Sequence, residues 1–217
     1  MNAISYICGD TQITDFPLCS ARPLAVFVQL CNDLLAGPDG YLSPENSFLA
    51  LELGWQTVGT AHVPDIVIHA WVAELLTSPT WGVAQYTDNA AVEAISDIAD
   101  LQRTLASGDM PPIAAWGRVD RAARAVSALS IVSATLAGAG VYAVRAAYQS
   151  MALMDTEHRA TLDAVTGYAL RAHALATEST GVTRIVEITR HAIRSWRRLA
   201  QLDDPGRIDR ASADKHL

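Results

Sequence analysis

Apolar residues recur at helical spacing along most of this chain, most cleanly near its end. Ile185, Ile188, Ala192, Trp196 and Leu199 follow three- and four-residue steps, while Arg184, Glu187, His191, Arg194 and Arg198 fall on the opposite side. That pattern predicts an amphipathic helix from Thr183 to about Leu202. A second stripe, Val92, Ile95, Ile98-Ala99, Leu101-Gln102 and Leu105, predicts another, with Asp88 as its N-cap and Ser107-Gly108-Asp109 as its stop. Pro23 opens a helix to Ala36. Ser43-Pro44 caps and starts the next, and Pro64 begins one that ends near Ser78-Pro79. A helix from about Pro112 leads into the middle of the chain, where Gly138-Ala139-Gly140 either kinks it or separates a further helix, Val141 to Met154. Asp155-Thr156-Glu157 opens one more, reaching about Ser179. The first twenty residues lack this period and read as an irregular arm or short hairpin. Residues 21–202 read as the helical domain and 203–217 as a polar tail.

The stretch Ala125 to Val144 carries no formal charge over twenty residues. It is long enough to span a bilayer, but Ala, Ser, Gly and Thr dominate it rather than Leu, Ile, Val and Phe. Ser127, Ser130 and Ser133 draw a polar line along one side, which suits close helix packing better than lipid. The expected fold is therefore all-α: a single-domain bundle of about seven or eight helices around a buried small-residue central helix, with no membrane span.

Composition narrows the function classes. Half of the 217 residues are hydrophobic and 18% are charged, which suits a packed core. The formal net charge of −7 leaves no basic surplus for a phosphate backbone, so nucleic acid is not an expected partner. Lys215 is the only lysine and stands in the polar tail, which excludes Schiff-base chemistry by an internal lysine. Cys8, Cys19 and Cys31 match no zinc spacing and read as small buried thiols in a reducing compartment. The start of the chain lacks the basic residues and long apolar core of a secretion signal, so a cytoplasmic location is expected. No dinucleotide, Walker, nucleophile-elbow, His-Glu-x-x-His or calcium-loop motif occurs.

Candidate chemistry concentrates between Trp55 and Trp71. Asp65 and His69 are four apart on a helix that is otherwise apolar, so they share a face. A carboxylate bonded to an imidazole fixes its tautomer and raises its basicity, which a general base needs. His62, just before Pro64, is placed to join them as an acid or ligand. Asp65, His69 and His62 are the expected catalytic residues, and Trp55 and Trp71 are candidate substrate contacts, although Trp71, Trp116 and Trp196 also suit the core.

Gly54-Trp55-Gln56-Thr57-Val58 with Asp65 and His69 loosely resembles the entrance of the DinB-like metalloenzyme bundles, over about twenty-five residues. That family's second element, two histidines four apart on a late helix, is missing: His158, His173 and His191 are fifteen and eighteen apart. The resemblance therefore implies no three-histidine metal site, and no cofactor is assigned.

Asp155 and His158 have an Asp-x-x-His spacing, and His158 and His173 both follow the apolar face of their helix, so they join the substrate-binding candidates. Arg118 and Arg121, with Arg124, stand near a helix start, where its dipole gives them nothing. They are expected to pair with carboxylates such as Asp97 and Asp100, or to clamp an anion. Two functions fit these residues. One is an intracellular small-molecule enzyme or binding protein with a polar pocket at one end of the bundle and acid–base or elimination chemistry. The other is a non-catalytic accessory or immunity-type subunit that binds a protein partner or a second copy of itself.

Overall fold

The computed structural model describes residues 1–132, 138–154, 158–177 and 182–203. Among them are nine α-helices and no strands: α1 (Asn2–Ile7), α2 (Arg22–Leu35), α3 (Pro44–Trp55), α4 (Asp65–Thr77), α5 (Asn89–Ala106), α6 (Ile113–Val132), α7 (Ala139–Ser150), α8 (His158–Thr177) and α9 (Val182–Leu199). The chain is an all-α single-domain bundle.

Local chemistry sets several boundaries. Ser43 Oγ accepts the Asn46 N–H at 3.2 Å and Pro44 occupies the first turn of α3. Asp88 Oδ1 accepts from the Ala91 N–H at 2.9 Å at the start of α5. Each satisfies a donor that a helix start otherwise leaves open. Gly108 ends α5 at φ +85°, a left-handed conformation that glycine adopts without Cβ strain.

The uncharged middle of the chain is divided between α6 and α7. Ser127, Ser130 and Ser133 lie outside the described side chains. In α7, Ala143, Ala146 and Ala147 are fully buried, and the helix packs against α4, α5, α6 and α8. Alanine brings backbones close there. α4 lies in the core, with its Trp71, Val72, Leu75 and Leu76 fully buried, and it packs against α5 and α9. Trp71 meets Trp196 edge-on at 5.3 Å, Trp81 at 5.8 Å and Phe27 at 6.1 Å. Among the described residues no helix is long and apolar enough to cross a membrane.

The N-terminal arm departs from expectation in two ways. It carries a short helix, α1, whose Ile4 is buried over α3. Gly54 makes that approach possible, because a Cβ there would stand 2.9 Å from Ile4 Cγ1. Cys8 and Cys19 are joined in a disulfide, which corrects the reading of all three cysteines as free thiols; only Cys31 is free and buried. The reason lies in tertiary contacts that no spacing reveals. The Cys19 carbonyl accepts from the Gly59 and Thr60 N–H groups, Ser20 Oγ stands 2.8 Å from Thr57 Oγ1, and Ser5 Oγ donates to Asp10 at 2.6 Å. These bonds fold the arm back on α1 and bring the two sulfurs together.

Such a disulfide persists in an oxidising environment and would be reduced in a cytosol. Alkylation of the denatured chain, followed by mass spectrometry, is expected to label one cysteine before reduction and three after it. Three labels without reductant would show that Cys8 and Cys19 are thiols in the protein as prepared.

Candidate functional site

Gln102, a polar position in the apolar stripe of α5, determines the chemistry around His69. Its Nε2 donates to the Ser150 carbonyl at 2.8 Å, and its Oε1 stands 2.7 Å from His69 Nδ1. A carbonyl only accepts, so the amide is oriented with its oxygen toward the imidazole, and Nδ1 must carry the proton. In the neutral ring the lone pair then resides on Nε2. His69, Gln102 and Ser150 thus form a buried chain across α4, α5 and α7.

The other members of the expected cluster lie elsewhere on α4 and its approach. Asp65, in the first turn of α4, and His62 before it are both exposed, and Trp55 at the end of α3 is half-buried. Trp71 has no exposed surface and gives its indole N–H to the Ala192 carbonyl at 3.0 Å, as a core residue does. His69 reaches into the protein through Gln102, a partner that the four-residue spacing to Asp65 did not reveal.

A second buried imidazole, His173 on α8, has Nδ1 2.9 Å from the Tyr86 hydroxyl, with the two rings edge-on at 5.4 Å. Burial, with Arg184 adding a smaller effect, pushes its pKa down from 6.5 to about 3, so the ring is neutral at physiological pH. Burial also raises the Tyr86 pKa, which keeps the phenol protonated. Cys31 Sγ lies 2.9 Å from Thr189 Oγ1, and burial raises its pKa to about 11, so it is not a thiolate nucleophile at neutral pH.

Arg118 and Arg121 are exposed on α6. Arg124 pairs with Asp120 at 2.9 Å on its own helix, and Asp100 pairs with Arg103 at 2.5 Å. Asp155 lies outside the described residues, as does the side chain of His158, whose backbone opens α8. Glu74 accepts from Ser195 Oγ at 2.5 Å and from Arg198, which ties α4 to α9. Among the described residues no three His, Cys, Asp or Glu side chains form a group able to hold a metal ion.

One open cavity, of ≈ 450 Å³, lies where the end of α2, the start of α3 and the start of α9 meet. Leu34, Leu35, Leu49 and Val186 give it apolar walls; Asn46, Thr183, Glu187 and Arg190 give it polar groups. Thr183, Val186, Glu187 and Arg190 follow steps of three, one and three, so they share one face of α9. Sequence reasoning missed this groove because its lining comes from three helices and no local motif links them. No protein-family model, curated protein or solved structure matches the chain.

Proposed function

We propose that this chain is a small-molecule binding protein whose ligand occupies the groove between α2, α3 and α9. The groove itself supports this reading. Its size falls in the range usual for ligand sites, about 300–1,000 Å³, and it combines apolar walls with a few convergent polar groups. A fragment screen followed by amide-resolved NMR tests it. Bound fragments are expected to shift the Asn46 and Thr183 amides, and Leu34→Glu, which puts a charge on the apolar wall, should abolish those shifts. Fragments that perturb only other helices would remove the assignment.

Acid–base or elimination chemistry by His69, with Asp65 and His62, is a separate, enzymic reading, since none of the three lines the groove. The fixed Nδ1–H tautomer favours it, since Nε2 keeps the lone pair of a base. It fails if Asp65→Ala and His69→Ala leave turnover intact.

A partner protein or second copy of the chain is favoured by a different observation. Tyr6, Ile7, Ile13 and Leu18 are all exposed within the folded-back arm, Tyr6 by 72% and Leu18 by 76%. Light scattering separates the forms: a dimer that Tyr6→Ser with Leu18→Ser returns to monomer supports self-association, and a clean monomer before substitution removes it.

A further inference from the structure

We propose that the ligand of this groove is an aliphatic carboxylate, held by its alkyl tail on Leu34, Leu35, Leu49 and Val186 and by its headgroup on the Arg190 guanidinium. The inference rests on the groove being a binding site and adds the chemistry that it selects.

The ion pairs of the molecule carry the argument. Arg22 bonds Asp163 at 2.6 Å, Arg103 bonds Asp100 at 2.5 Å and Arg124 bonds Asp120 at 2.9 Å; all are charge-assisted hydrogen bonds. At the groove the contacts are looser. Arg190 stands 3.6 Å from Glu52, and Arg184 stands 3.6 Å from Glu187, both beyond hydrogen-bonding distance. The Arg190 fork is therefore attracted to Glu52 without having its donors committed there. A carboxylate entering the groove gains two parallel N–H···O bonds, a geometry that a planar guanidinium presents and an ammonium does not.

The Arg190 side chain is 33% exposed, level with Glu52 at 34% and deeper than Glu187 at 53%, so a ligand carboxylate takes the place of Glu52 beside the guanidinium. Arg190 also follows Val186 by one helical turn, which sets its aliphatic stem in line with the apolar wall. A tail and a headgroup thus have adjacent places along one face of α9.

Octanoate, octanol and octylamine, each below its micellar concentration, test the assignment by NMR titration of the full chain. Octanoate is expected to shift the Asn46 and Thr183 amides and to bind about tenfold tighter than octanol or octylamine, the equivalent of one charge-assisted hydrogen bond. Arg190→Gln should remove that preference while leaving octanol binding in place. Leu34→Glu, at a partly exposed position, should weaken all three. Equal binding of the three probes at the groove, insensitive to Arg190→Gln, overturns the carboxylate and leaves the groove as a binding site. Shifts confined to other surfaces, or no binding of any probe together with no fragment at the groove, overturn both.

Discussion

Trp71→Ala is expected to lower the unfolding free energy by about 3–5 kcal/mol, the range for removing a large aromatic side chain from a closed core. Trp71 has no exposed surface, and its ring contacts Phe27, Trp81 and Trp196, which come from three other parts of the chain. The substitution leaves a cavity among large rings that cannot collapse without moving α2 and α9 as well. It also removes the donor to the Ala192 carbonyl, a buried acceptor. Trp71→Phe should cost less than Trp71→Ala, since it keeps a six-membered aromatic ring among the others while losing the N–H and part of the indole volume. Urea unfolding followed by circular dichroism measures both variants. A loss below about 1 kcal/mol for Trp71→Ala would mean that the rings around it are not closely packed.

The helices were legible because their signals are local. Ser43 and Asp88 mark helix starts through bonds to backbone groups within three residues, Pro44 does so through its fixed φ, and the amphipathic stripe of α9 needs only its own period. The candidate chemistry was less legible because its decisive contacts are long-range. Asp65 and His69 are correctly placed on one helix, but the hydrogen bond that orients His69 comes from Gln102, thirty-three residues away. One signal was available: Gln102 sits in the apolar stripe of α5, and a polar side chain at such a position needs a buried partner. The Cys8–Cys19 bond had no comparable signal. It depends on the 57–60 segment holding the Cys19 backbone, which the cysteine spacing does not contain. The groove is the extreme case, assembled from two consecutive helices, α2 and α3, and from α9, which is far from them in the chain.

Acid is expected to destabilise this protein through His173. The folded-state pKa is depressed to about 3 from an ordinary value of 6.5, so the unfolded chain takes up a proton at this residue before the folded one does. The contribution is complete above pH 6.5, where the ring is neutral in both states, and it is lost as the pH falls toward about 3. Over that window one proton costs about 1.4 kcal/mol of stability per pH unit. Protonating the folded state instead would place a cation beside the Phe27 and Tyr86 rings, within the field of Arg184. His173→Gln keeps a polar group opposite the Tyr86 hydroxyl and cannot titrate. Its stability, measured by urea unfolding from pH 7 to 4, should fall less steeply than that of the parent by about that slope, whatever its absolute value. Parallel profiles for the two proteins would place the acid-sensitive proton at another group and refute the assignment to His173.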